Sequence, residues 1–182
     1  MTSPSLASEP DLRYPIGPSD KSSPLTAGER AQRIDAIAVA PSQLRLAVHG
    51  LSDEQLDTPY RPGGWTVRQT VHHVADSHMN AFIRFRLGLT EDNPTIKPYD
   101  EQAWAELADM RLPIEVSLRL LDGLHERLVH MLQALSSASF DRTIFHPENG
   151  PMTLDAMLSM YAWHGKHHTA HITSLRQRQG WS

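Results

Sequence analysis

The feature that most constrains how this sequence can fold is a set of histidines at positions where a helical chain should place apolar side chains. His164 and His168 lie four residues apart, and His73 lies far upstream in another segment with helical spacing. Side chains four residues apart stack on one face of a helix. Because burying an unpaired polar ring costs about 1–3 kcal/mol, these rings need partners. The pattern favours a fold in which the histidines meet inside a helical core.

Four segments show the apolar spacing of amphipathic helices. Pro41 lies inside the first segment and is expected to kink or divide it. The crossover between the second and third segments is long for a bundle loop and contains two prolines. A stretch of weak alternation at residues 142–145 favours a small hairpin. The pattern therefore predicts an all-α four-helix bundle with one long crossover. The helices are expected at residues 26–51, 66–89, 113–135 and 153–179.

The chain of 182 residues is long enough for one domain with a proper core. Residues 1–25 are rich in proline, serine and charge, so we expect an extended N-terminal arm that cannot fold alone. Residues 26–182 form the expected bundle domain. This division places every candidate site residue in the bundle.

Composition narrows the classes of partner. The net charge is −4, from 17 basic and 21 acidic residues, and no basic stripe suits a phosphate backbone, so we expect no nucleic-acid partner. No apolar run is long enough for a bilayer, and the first residues lack the core of a secretory signal. We therefore expect no membrane partner and a cytoplasmic location. The absence of cysteine excludes disulfides and thiolate metal ligands, so histidines and carboxylates are the candidate metal ligands.

The histidine pattern predicts a metal site. His164, His168 and His171 interrupt the apolar stripe of the fourth helix, and His73 belongs to a polar line beside the core stripe of the second. If that line faces the fourth helix, His73, His164 and His168 can share one divalent ion. Three neutral imidazoles suit zinc, nickel, iron or copper and leave a position open for water or substrate.

Each histidine also has a simpler interpretation, since a lone buried histidine is usually a hydrogen-bonded core residue. That is the preferred interpretation of His78. His171 is left open, either as a fourth ligand or as a hydrogen-bond donor to a ligand. Five further histidines are expected to be solvated or to lie in loops: His72, His125, His130, His146 and His167.

The reaction chemistry is constrained by the neighbours of these histidines. Gly165 follows His164, so the glutamate base of a zinc peptidase helix is absent and peptidase chemistry is disfavoured. Asp76 lies one turn after His73 and is the candidate to orient a ligand or to accept a proton from an activated water. Asn80 lies one turn further and is the candidate to position the reacting group. A structural role as a solvated surface carboxylate is nearly as good an interpretation of Asp76 as a role in the reaction.

An ordered set of motifs resembles the YfiT branch of the DinB superfamily, over residues 12–181. The resemblance implies that His73, His164 and His168 bind one divalent ion, zinc or nickel, in a cytoplasmic homodimer. Many members have glutamine where this chain has His171, which leaves the coordination number open. The motifs are Tyr14-Pro15-Ile16-Gly17, Asp57-Thr58-Pro59-Tyr60-Arg61, Gly63-Gly64-Trp65-Thr66-Val67-Arg68-Gln69, the stretch His72 to Asn80, Pro98-Tyr99-Asp100, and the stretch Trp163 to Ile172.

Three functions fit these observations. The first is a hydrolase in which the metal held by three histidines activates water toward a small-molecule substrate. The second, which the resemblance to the DinB superfamily implies, is a thiol S-transferase that activates a low-molecular-weight thiol of the bacillithiol type, with Arg61, Arg68 or Arg84 as a clamp for its carboxylate. For each arginine a surface charge is the more common role. The third is a non-catalytic metal-binding module.

Overall fold

The computed structural model describes residues 11–19 and 23–181. Within these residues the chain forms six α-helices, two short 3-10 helices and one antiparallel hairpin. The α-helices are α1 (Ala27–Val48), α2 (Asp53–Leu56), α3 (Val67–Thr90), α4 (Glu101–Ala105), α5 (Glu115–Gln133) and α6 (Leu154–Gln179). The 3-10 helices are Ala108–Arg111 and Ser137–Asp141, and the strands are β1 (Thr143–His146) and β2 (Gly150–Thr153).

The four long helices form the predicted bundle. Both α1 and α3 pack against α5 and α6, so the helices follow one another around the bundle in the order α1, α5, α3, α6. The crossover between α3 and α5 carries α4 and the first 3-10 helix, and the predicted hairpin precedes α6. The all-α four-helix bundle with one long crossover is confirmed. None of the described helices is both long and apolar enough to cross a bilayer.

Local sequence signals set the ends of the two helices that carry the candidate ligands. The Thr66 hydroxyl accepts from the Gln69 backbone N–H, and the Gln69 side chain accepts from the Thr66 N–H, which is a capping box. At the start of α6 the Thr153 hydroxyl accepts a single capping hydrogen bond from the Ala156 N–H. Gly180 ends α6 with φ 64°, a left-handed conformation that glycine adopts without a Cβ penalty. These caps fix the register of the histidines that follow.

Pro41 was expected to kink or divide the first helix, and the structure shows that it does not divide it, because α1 is continuous from Ala27 to Val48. Proline has no N–H, so the carbonyl of Ile37, four residues earlier, loses its usual donor within the helix. That carbonyl accepts a hydrogen bond of 2.7 Å from Nδ1 of His125 on α5 instead. A side chain from another helix thus satisfies the carbonyl that proline leaves free.

A layer of histidines divides the apolar core in two. On α6, one apolar cluster ends at Ala162 and the other begins at Ile172, with four histidines between them. On α5, His125 lies between Leu121 of one cluster and Leu128 of the other. The polar layer therefore crosses the bundle at the middle of its long helices, enclosed by hydrocarbon above and below.

The described part of the N-terminal arm packs on α6. Residues 11–17 form two successive turns, closed by the N–H of Tyr14 on the Asp11 carbonyl and the N–H of Gly17 on the Tyr14 carbonyl. The indole of Trp163 donates to the Gly17 carbonyl at 3.3 Å. The expected arm is therefore held against the bundle along residues 11–17, and its residues 1–10 and 20–22 lie outside the described part.

Candidate metal centre

His73, His164 and His168 meet inside the bundle. One ring nitrogen of each lies within 4.8 Å of the corresponding nitrogens of the other two. The ring centroids are separated by 5.3 Å for His73 and His164, by 4.8 Å for His73 and His168, and by 4.5 Å for His164 and His168. His73 and His168 are buried, and His164 is partly exposed. The structure thus brings together one residue of α3 and two residues of α6.

These three rings are in the protonation state that binds metal. Burial lowers the pKa of His73 to about 4, and burial together with the neighbouring rings lowers the pKa values of His164 and His168 well below their usual range. Each imidazole is therefore neutral near pH 7 and keeps one unprotonated nitrogen. Three neutral imidazoles whose ring nitrogens lie within 4.8 Å of one another fit the ligand preference of a late first-row divalent ion.

A pocket of about 340 Å³ reaches the metal centre at His164. Ser77 lines it, with Oγ 3.4 Å from Nε2 of His164. Tyr99 and Tyr161 also line it, and burial raises the pKa of both phenols, so both stay protonated at neutral pH. Arg84 contributes a positive charge and donates from Nη1 to the Tyr161 hydroxyl at 3.1 Å. The pocket thus offers hydroxyl groups and one cation beside a candidate ligand.

An aromatic ring covers another side of the centre. The Trp65 ring centroid lies 4.5 Å from that of His73 and 6.4 Å from that of His168. Its Nε1 donates to Oε1 of Gln102 at 3.0 Å, which fixes the indole in place. Trp65 therefore shields the rings of two candidate ligands from solvent.

The candidate catalytic residues Asp76 and Asn80 lie on α3 but do not line this pocket. The Asn80 amide donates to the backbone carbonyl of Asp76 at 2.9 Å. Burial, together with the charge of Asp109, raises the pKa of the Asp76 carboxyl to about 6. The catalytic roles of Asp76 and Asn80 stay predictions of the sequence.

The raised pKa of Asp76 predicts a pH-dependent effect on stability. The folded protein holds this proton more tightly than the unfolded chain, so the free energy of unfolding falls as pH rises from 3.8 to about 6. Asp76→Asn removes the cost of ionising a half-buried carboxylate. We expect this variant to have a higher thermal midpoint than wild type above pH 6, measured in chelator. Below about pH 3.5 the two proteins should match, and an equal gain at both pH values would contradict the explanation.

Three histidines that were expected to be solvated are buried, which corrects that expectation. His72 lies with Nδ1 2.7 Å from Ser117 Oγ and Nε2 3.0 Å from the Leu112 carbonyl. His125 lies between α1 and α3, and His167 stacks on Trp163 with ring centroids 4.1 Å apart. The sequence could not supply these partners, because most of them belong to other helices or to loops.

Three more histidines differ in how they compare with expectation. His78 is confirmed as a hydrogen-bonded core residue, fully buried between His125 and His164. His130 is exposed, as expected. His146 is partly buried on β1 and lines the pocket beside His164, so the expectation of a loop position was wrong.

His171, which the sequence left open, does not converge with His73 and His164. It groups instead with His167 and His168. Its Nε2 lies 3.0 Å from the Arg13 carbonyl and its Nδ1 lies 3.4 Å from Nδ1 of His168. The Tyr60 ring stacks on it with centroids 4.0 Å apart. This arrangement favours a hydrogen-bonding role beside a ligand over a role as a ligand.

Sequence reasoning missed Ser77 and Tyr161 as site residues and left the aromatic residues unassigned. Ser77 follows His73 by four residues, so it lies on the same face of α3, and that spacing was an available signal. Tyr161 precedes His164 by three residues on α6 and offered the same signal. Tyr99 belongs to the crossover, and its approach to α6 depends on tertiary packing.

Comparisons with known proteins show the family of this chain. The family model of the DinB superfamily matches residues 36–172. Proteins of Bacillus mycoides (strain KBAB4) and Bacillus cereus (strain B4264), each named "Putative metal-dependent hydrolase", are 55% identical over 94% of this chain and 99% of their own. The solved structure of YfiT from Bacillus subtilis, described as "a probable metal-dependent hydrolase with an unusual four-helix bundle topology", is 47% identical with a TM-score of 0.92, over 94% of this chain and 99% of that one. The family match over residues 36–172 and the similarity to these relatives show that this chain belongs to the DinB superfamily.

Proposed function

We propose that this protein is a metal-dependent hydrolase of small molecules, with one divalent ion, zinc or nickel, held by His73, His164 and His168. The observation that carries the proposal is the convergence of three neutral imidazoles, one of which, that of His164, lines a pocket. When bound, such an ion acts as a Lewis acid that lowers the pKa of a water molecule. The names of the Bacillus relatives and the description of YfiT support the same activity.

The residues of the pocket have assignable tasks. Its volume of about 340 Å³ suits a small molecule rather than a polymer. Tyr99 and Tyr161 keep their protons and are placed to donate hydrogen bonds to a carbonyl or phosphoryl oxygen. Trp65 limits access of bulk water to the ligand rings, which strengthens electrostatic interactions inside the site. Asp76 and Asn80, which do not line the pocket, are the proposed base and the proposed positioning group, roles that the sequence suggests.

The direct test offers electrophiles in water to metal-restored protein. Esters, amides and phosphoesters of pocket size are the first substrates to try, with chelated protein as the control. We expect turnover that needs the metal and no added nucleophile. Absence of turnover for all classes, with the ion still bound, would favour a non-catalytic metal-binding module.

Arg84 is expected to select substrates with an anionic group. It is partly buried at the pocket wall, and a hydrogen bond to a charged group contributes about 1.5–3 kcal/mol. Arg84→Ala should therefore lower kcat/KM for anionic substrates by roughly 10- to 100-fold, mainly through KM. Arg86→Ala on the same helix is the matched control, since Arg86 is exposed and its guanidinium lies over the Phe82 ring. Equal effects of the two substitutions on KM would contradict this role.

Thiol transfer is the second candidate, and the position of Arg84 is the observation that favours it. Arg84 lines the pocket and could clamp the carboxylate of a small thiol. Arg68 instead binds Asp57 at 2.6 Å and Asp53 at 2.8 Å. The Arg61 guanidinium lies over the ring of Tyr60. Conjugation of an electrophile only in the presence of a low-molecular-weight thiol would support this candidate over hydrolysis.

The proposal includes a homodimer in the cytoplasm, as the resemblance to the YfiT branch suggests. Light scattering coupled to size exclusion measures the mass in solution. A mass of twice 20.4 kDa is the expected result.

A further inference from the structure

A chain of hydrogen bonds connects His164 to a main-chain carbonyl on the far side of the bundle. Nδ1 of His164 lies 3.2 Å from Nε2 of His78, and Nδ1 of His78 lies 2.8 Å from Nε2 of His125. Nδ1 of His125 lies 2.7 Å from the Ile37 carbonyl oxygen. The chain therefore runs from α6 through α3 and α5 to α1 and includes an element of every long helix.

The carbonyl at the end of this chain is available because of the sequence of α1. Pro41 has no N–H to donate to Ile37, so the carbonyl points to His125 without the usual helical competitor. A carbonyl oxygen can only accept a hydrogen bond. Nδ1 of His125 must therefore carry the proton.

The remaining protons follow from this one. The rings of His125 and His78 are 2% and 0% exposed, and burial disfavours a charged imidazolium. With its proton on Nδ1, His125 accepts at Nε2, so His78 donates from Nδ1. His78 then accepts at Nε2, so His164 donates from Nδ1. The unprotonated nitrogen of His164 is Nε2, the atom 3.4 Å from Ser77 at the pocket.

We propose that His78 and His125 are positioning residues that hold His164 in the tautomer with a bare Nε2 and fix its ring orientation toward the ion. The proposal rests on the metal centre described under the proposed function. A ligand histidine usually donates its second N–H directly to a carboxylate or carbonyl. In this protein His164 donates instead to His78, and two further hydrogen bonds through His78 and His125 connect it to a carbonyl on α1.

The second ligand of α6 has a shorter connection of the same kind. The Arg13 carbonyl can only accept, so His171 donates to it from Nε2 at 3.0 Å. Nδ1 of His171 then accepts from Nδ1 of His168, 3.4 Å away, which leaves Nε2 of His168 bare. The N-terminal arm thereby contributes to the orientation of a ligand on α6.

Metal affinity tests the longer connection. In His125→Leu, His78 loses its acceptor, and its proton is expected to move to Nε2 and to reverse the tautomer of His164. We expect zinc affinity, measured by competition with a chromophoric chelator, to fall about 10- to 100-fold. His125→Gln keeps an acceptor for His78 and should recover most of this loss. His130→Leu, at an exposed histidine of the same helix, should bind zinc like wild type.

The outcomes separate this proposal from the metal centre itself. If wild type binds no divalent ion, the proposed function fails. If wild type binds zinc and folded His125→Leu binds it equally well, the positioning role of His78 and His125 is wrong, while the metal centre is supported. Thermal unfolding of the metal-free variants shows which of them are folded.

Nitrogen NMR of the metal-free wild-type protein tests the tautomers without any variant. Long-range correlations between ring protons and ring nitrogens identify which nitrogen of each histidine is protonated. We expect protonated Nδ1 and bare Nε2 at His125, His78 and His164. A proton on Nε2 of His164 would overturn the proposal even if His125→Leu fails to fold.

His171 has its own pair of variants. His171→Leu should weaken zinc binding, and His171→Gln should restore part of it, with one ion per chain throughout. A second ion in wild type that disappears in His171→Leu would overturn the shorter connection and make His171 a ligand.

Discussion

Replacing His168 by alanine is expected to lower the affinity for zinc by at least about 100-fold and to abolish metal-dependent turnover. Zinc sites with four protein ligands bind the ion with a free energy of about 10–16 kcal/mol, so one ligand contributes roughly 3 kcal/mol or more. Tenfold in affinity corresponds to about 1.4 kcal/mol. His168 is buried against His73 and His164, and its ring supplies the third nitrogen of this group among the described residues. Competition titration measures the loss.

The control for this variant is a histidine of the neighbouring group. His167→Ala removes a buried ring one position earlier on α6 that does not converge with His73 and His164. We expect it to bind one zinc ion with nearly wild-type affinity. Equal losses in the two variants would show that the general packing of the histidine layer, rather than three specific ligands, determines metal binding.

The second large effect concerns stability. Asp155 is 1% exposed, and its carboxylate accepts from Arg30 Nε at 2.7 Å, from Arg30 Nη2 at 2.8 Å and from the Leu25 N–H at 2.8 Å. Removing one partner of a buried ion pair leaves an unpaired charge and costs about 3–5 kcal/mol. We expect Asp155→Ala to lower the free energy of unfolding by that amount, measured by denaturant titration in chelator.

A surface ion pair provides the matched control. Asp122 binds Arg45 at 2.7 Å, with side chains 51% and 39% exposed. Exposed pairs contribute at most about 1 kcal/mol because water screens them. Asp122→Ala should therefore have a small effect. A loss of less than about 1 kcal/mol for Asp155→Ala would contradict the view that this pair fastens α1 to the start of α6.

Much of the fold could be predicted because its signals are local. Thr66 and Thr153 mark helix starts through side chains that bond three residues away, and Gly180 marks a helix end by its own conformation. The candidate ligands could be predicted for a related reason. Four-residue spacing fixes the common face of His164 and His168 whatever surrounds them.

The rest depends on contacts between distant parts of the chain. Whether His125 is solvated or buried is decided by the Ile37 carbonyl, 88 residues away, and that carbonyl is free only because of Pro41. The spacing of residues along α5 does not indicate that His125 has this partner. For the same reason the sequence could not show that Pro41 leaves α1 undivided, since the cost of Pro41 to α1 is offset by a donor from another helix. The pocket likewise depends on how the crossover brings Tyr99 to α6.

The central claim is that His73, His164 and His168 converge on one divalent ion, and anomalous diffraction from crystals of metal-loaded protein tests it most directly. We expect one anomalous peak per chain, about 2.0–2.1 Å from one nitrogen of each of the three rings, with the remaining coordination position open to the pocket. A peak bound by His167 and His171 instead, or no peak near these rings at full metal loading, would contradict the claim.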